Sequence, residues 1–119
     1  DILLDTMGVT PNHMKHQENI RQLSAMLRDD PEDPLTWYLL GMENMHVGGY
    51  SEAIIAFKNC IHRHPDHTAA IRMLADAWRM TGDLEKARGA YEDAIHAADR
   101  TGDLQVKKEA EALLKKLGR

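Results

Sequence analysis

Two stretches of this chain, offset by 34 residues, carry the same order of large, small and turn residues. Trp37 aligns with Ile71, Leu40 with Leu74, Gly41 with Ala75, Gly48 with Gly82 and Tyr50 with Leu84. Further on, Ala53 meets Ala87, Phe57 meets Tyr91, Cys60 meets Ala94 and Ile61 meets Ile95. The small residues keep their places for a physical reason. Where two helices cross closely, one must offer a side chain no larger than Ala or Cys, and a large residue of its partner fills the hole. The stretch Trp37 to Pro65 reads as two amphipathic helices joined at Gly48-Gly49 and closed by a proline. A period of this length predicts stacked helix pairs.

The rest of the chain continues the pattern. Thr10-Pro11 reads as an N-cap followed by proline at the first helical position. The helix it opens runs to about Asp29, with Ile20, Leu23 and Leu27 on one face, and Asp29-Asp30-Pro31 stops it. A second helix is predicted from Pro34 to about Val47, ended by Gly48 and Gly49, and a third from Tyr50 to Arg63. The fourth covers about His67 to Met80 and ends at Gly82. Asp83 caps the fifth, from Leu84 to about Ala98 and a turn beyond. After Thr101-Gly102-Asp103 a last helix, Leu104 to Leu117, puts Val106, Ala110, Leu113 and Leu117 on one face and lysines on the other. Residues 1–10 hold an apolar patch (Ile2, Leu3, Leu4, Met7) ended by Gly8, expected either to pack on the domain or to fray.

Composition agrees with an all-α chain. Aromatics are only 5% of the 119 residues, and the helix formers Ala, Leu, Met, Glu, Lys and Arg dominate. A net charge of −4 argues against a nucleic-acid binder, which needs a basic stripe. One cysteine allows no intrachain disulfide, and no apolar run approaches the ~18 residues of a membrane span. The first residue is Asp1, so an upstream anchor or signal can have been removed. The cytoplasm is the first expectation for location, and the periplasm the second if such a segment existed.

The repeat resembles the tetratricopeptide repeat, whose pattern is W-x2-L-G-x2-Y, then A-x3-F, then P over 34 residues. Here it stands as Trp37-x2-Leu40-Gly41-x2-Asn44, Ala53-x3-Phe57 and Pro65, and GGYSEA at 48–53 is echoed by GDLEKA at 82–87. Asn44 departs from the pattern, with Trp78 in the equivalent place of the second copy, and Asp99 stands where a closing proline belongs. About two inserted residues before the last helix would restore its apolar face, so the fifth helix is expected to be long. The resemblance implies an all-α, right-handed superhelical stack of antiparallel helix pairs, about six helices in all. Residues 11–119 would form one domain: a preceding half-repeat helix (11–30), two repeats (34–67 and 68–101) and a capping helix (103–117).

The resemblance also implies a concave face lined by the first helix of each pair. In the first copy its free residues are Leu35, Tyr38, Met42, Met45 and His46, and in the second Ala69, Arg72, Asp76, Arg79 and Met80. A tyrosine with three methionines along one groove suits an apolar peptide, because methionine adapts to irregular partners. The bland alternative is that the N-terminal segment lies there or that the groove is only partly exposed. Arg72, Asp76 and Arg79 share one helical face, either to receive a carboxylate of a partner or as a self-satisfied surface set. Some members of the family hold chaperone C-termini in a carboxylate clamp of lysines and asparagines. Tyr38, Met42 and Met73 stand where those polar groups belong, so that activity is not expected.

Cys60, His62, His64 and His67 invite a zinc reading. However, His62 lies about 200° around the helix from Cys60, and the expectation is a buried cysteine with solvent histidines, no metal and no cofactor. No catalytic set can be assembled, so an enzyme is not expected. The functional expectation is a scaffold or adaptor that binds a peptide or partner helix, without nucleic acid or direct membrane insertion. The second reading is a chaperone-like assembly factor, because the run Leu23 to Gly41 is similar to tetratricopeptide subunits of bacterial cytochrome c maturation. Self-association through the outer helices is the remaining partner class.

Overall fold

The structure, a computed structural model, describes residues 11–118. The expected cap at Thr10 and the apolar segment before it lie outside the described residues. Six helices follow one another: α1 (Pro11–Asp29), α2 (Pro34–His46), α3 (Tyr50–Arg63), α4 (Thr68–Thr81), α5 (Leu84–Thr101) and α6 (Leu104–Leu117). There is no strand among the described residues.

Local chemistry sets most of the boundaries. The side chains of Asp33, Asp83 and Asp103 accept hydrogen bonds from the backbone N–H groups of Leu35, Lys86 and Val106 at the starts of α2, α5 and α6. These replace bonds that the first turn of a helix cannot make internally. Gly82 and Gly102 end α4 and α5 in the left-handed conformation, which glycine adopts without a Cβ penalty. α4 begins at Thr68 rather than His67, because His67 is its N-cap: its imidazole accepts from Ala70 N–H. α5 has 18 residues against 14 in α3, as the displaced closing residue at Asp99 led us to expect.

Each helix packs antiparallel on the next. The backbones of the inner helices α2, α4 and α6 also approach one another in turn, whereas those of α1, α3 and α5 stay further apart. The array therefore fans open on the side of α1, α3 and α5 and closes on the side of α2, α4 and α6. Its extents of 47 × 38 × 22 Å make it a slab about two helices thick. The core falls into two clusters. Phe57, Ala53, Cys60, Met73 and Ala77 anchor the first, and Tyr91, Ala75, Ala87, Ala94 and Ala110 the second. Ile61 and Trp78 pack against both and join them. Alanines dominate because the helices lie close, and the largest fully buried side chains among the described residues are Tyr91, Phe57 and Cys60.

Candidate functional site

The inner helices α2 and α4, with α6 beside them, present the side chains that the repeat pattern left free of packing. The α2 half is apolar. Leu35 is 56% exposed. Tyr38, Met42 and Met45 are half-buried, their inner sides packed on the Phe57 cluster. Tyr38 leans on Phe57 and on His67, with ring centroids 6.0 and 4.7 Å away. Burial raises the Tyr38 phenol pKa above the ordinary value, and the charge of Arg72 opposes that shift. His46 is exposed but turned to α1, stacked flat on His16 at 4.4 Å. Beneath that stack, Glu43 is hydrogen-bonded to His16 and accepts from Asn19 at 3.2 Å.

The α4 half is a charged network. Arg72 forks between Asp76 and Glu109 of α6, at 3.0 Å to each. Asp76 is only 9% exposed and accepts from the buried Tyr91 hydroxyl. Arg79 donates through Nε to the same hydroxyl at 3.2 Å, and its Nη2 lies 3.9 Å from Asp76. Burial, together with the hydrogen bond to Asp76, pushes the Tyr91 phenol up to about 12. Met80 ends this half of the groove, 46% exposed. Of the eight side chains singled out from the sequence, Tyr38, Met42, Met45, Arg72, Arg79 and Met80 lie on α2 and α4 at least partly exposed. Asp76 is an internal acceptor, and His46 is set against α1.

Three participants were missed by sequence reasoning. Tyr91 was assigned to packing by its alignment with Phe57, although a buried tyrosine hydroxyl needs a partner. Glu109 lies on the capping helix, and nothing in the spacing connects it with Arg72. His67 was grouped with the solvent histidines, but it is half-buried, caps α4 and touches Tyr38. Burial and the neighbouring His64 lower its pKa.

Among the described residues, no group of three or more His, Cys, Asp or Glu side chains is placed to hold a metal ion. Cys60 is fully buried, and burial, aided by the charge of Asp33, pushes its thiol up to about 11. It is a packing residue and not a reactive thiolate. No helix among the described residues is long and apolar enough to cross a membrane.

Antiparallel helix pairs stacked one on the next define a helical-repeat protein. The sequence model of the tetratricopeptide repeat matches residues 38–103, more than half of the chain. The TPR repeat-containing protein PA0015 of Pseudomonas aeruginosa is 31% identical over 100 residues, covering 84% of this chain and 95% of that protein. The chain belongs to the tetratricopeptide repeat family. Among solved structures, the protein BPP2914 from Bordetella parapertussis superposes with a TM-score of 0.75 at 28% identity, over 84% of this chain and 87% of that one. PcrH, solved in complex with the chaperone binding region of PopD, superposes with a TM-score of 0.83 at 17% identity, over 98% of this chain and 84% of that one, a likeness of fold.

Proposed function

We propose that this protein is a non-enzymatic interaction module that binds a segment of another polypeptide in the groove of α2 and α4. The observation that carries the reading is the division of that groove. Leu35, Tyr38, Met42, Met45 and Met80 offer apolar surface that no described residue fully covers. Beside them, Arg79 keeps more than a third of its side chain exposed after its bond to Tyr91. Such a surface suits an apolar segment followed by a carboxylate, the methionines adapting to its shape and Arg79 receiving the charge. Arg72 is already held by Asp76 and Glu109, so the self-satisfied reading applies to it and the receiving role to Arg79. The ionisable groups of the groove bond to one another, an arrangement for positioning and not for proton transfer.

The more specific reading, an assembly chaperone, is supported by the likeness of the run Leu23 to Gly41 noted above. The overlay on PcrH, itself complexed with a chaperone binding region, accords with it through the fold.

The groove is tested with the double variant Leu35→Glu/Met80→Glu, which alters two exposed side chains and leaves the core alone. A partner captured by the wild type should bind the variant at least ~10-fold more weakly. The circular dichroism spectrum should be unchanged, and partner binding to the wild type should shift the methyl resonances of Met42, Met45 and Met80. Equal capture by both proteins would sink the groove reading.

A further inference from the structure

The two repeats share the walls of one seat, and a recess lies beside it in each: about 240 Å³ where Trp37 forms a wall, and a larger one where Ile71 replaces it. In the first repeat Trp37 packs on the Phe57 cluster and, with Leu40 and Ala56, lines one recess. Its Nε1 donates to the Pro31 carbonyl at 2.7 Å. The guanidinium of Arg63 lies 5.4 Å from the ring centroid and is paired with Glu32 at 3.3 Å. Thirty-four residues on, the walls recur as Ile61, Leu74, Ala90 and Pro65. The ion pair recurs too, as Arg100 with Asp66 at 2.9 Å, Arg100 standing one turn further along because α5 is longer. The smaller Ile71, itself buried in the second core cluster, stands where Trp37 stood. Beside it is an open recess of about 410 Å³ between α3, α4 and α5, lined also by Asp93 and His96. That volume is within the range of sites that hold small ligands, about 300–1,000 Å³. The Pro65 carbonyl accepts no hydrogen bond from the described residues.

We propose that this recess is a second binding site, and that its occupant is a tryptophan side chain presented by a partner protein. The chemistry matches at three points. Ile61, Leu74 and Ala90 supply the aliphatic walls, the Pro65 carbonyl an acceptor for the indole N–H, and Arg100 a cation for the ring face. The occupant comes from outside the chain. Trp37 is committed to Pro31, and Trp78 is packed on both core clusters with Lys58 and Lys86 over its ring. A single buried tryptophan is also the commonest kind of anchor at protein interfaces. The recess shares no lining residue with the proposed groove, so one protein can engage two segments at once.

The probe is N-acetyltryptophanamide, an indole carried between two peptide groups, titrated into uniformly ¹⁵N-labelled protein and followed by amide shifts. Saturable shifts at Leu74, Ala90 and Arg100 are expected with an affinity near ~1 mM, the range for one side chain. Ile71→Trp fills the seat from within and should abolish them. Arg100→Ala, an exposed change that spares the core, should weaken them at least threefold and decides the matter if Ile71→Trp fails to fold. The proposal is overturned if no saturable shift appears by ~10 mM, if the shifts persist in Ile71→Trp, or if Arg100→Ala leaves the affinity unchanged. It is equally overturned if N-acetylleucinamide acts as strongly, or if free indole binds while the amide does not. Shifts confined to Tyr38, Met42 and Met45 would report the groove instead and count against the recess.

Discussion

Phe57 and Tyr91 occupy the same place in successive repeats, and the residues facing them differ by one carbon. Opposite Phe57 is Gly41, where an added Cβ would lie 2.5–2.8 Å from three atoms of the ring. At the equivalent position Ala75 is fully buried, its methyl group accommodated in the second core cluster with Tyr91. The Phe57 ring is itself fully buried and has nowhere to retreat. Gly41→Ala sets a helix-propensity gain of about 1 kcal/mol against overpacking of about 1–3 kcal/mol. The clash should win, with a net loss of about 1 kcal/mol read as a lower urea midpoint at unchanged slope. Adding Phe57→Leu should recover part of the loss. A more stable Gly41→Ala protein would mean that the helices cross less closely than described. The small residues at these positions were legible in the sequence as a packing code. Their exact tolerance was not, because it depends on how far the facing ring can shift.

Among the helices, α4 differs in how it begins. Asp33, Asp83 and Asp103 cap α2, α5 and α6, but α4 is capped by the Nδ1 of His67, 3.1 Å from Ala70 N–H. That bond needs the nitrogen lone pair and is lost when the imidazole is protonated. The resulting charge would then face the positive end of the helix dipole and the adjacent His64. Tyr38 of α2 packs on the ring as well. The folded protein therefore holds His67 neutral, with its pKa below the unfolded value near 6.5. With a depressed folded pKa, the unfolded state takes up the proton first. The contribution to stability is complete above about pH 6.5 and is lost as the pH falls through the folded pKa. His67→Asp supplies an acceptor that stays ionised through this window. Urea unfolding at pH 7.5 and 5.0 should show the wild type losing about 1 kcal/mol more than the variant. Parallel losses would remove the cap as the cause. The carboxylate caps were readable as Asp-Pro and Gly-Asp turns, whereas a histidine cap has no such signature.

At the scale of the whole molecule, stability passes from helix to helix, and α6 closes the second cluster. Val106 and Ala110 are buried there, and Leu113, Leu114 and Leu117 pack beside them against α5. Burying such side chains contributes several kcal/mol, which is comparable with the total stability of a domain this size, about 5–15 kcal/mol. A chain truncated after Gly102 should lose more than about 15 °C in Tm or unfold outright, as followed by circular dichroism. An unchanged transition would show that α6 is only an appendage. The sequence by itself determined the helices, their order and the packing slots, because helix propensity, capping and a 34-residue spacing act along the chain and leave a one-dimensional record. Which polar groups meet was decided only by the tertiary structure: Arg72 with Glu109, Asp76 with Tyr91, His67 with Tyr38. The recess beside Ile71 belongs to the same class, although the substitution that opens it is visible as a mismatch between repeats. Periodicity specifies the direction in which a side chain points, but a partner is chosen by the distance between helices and by the length of the side chain that must span it.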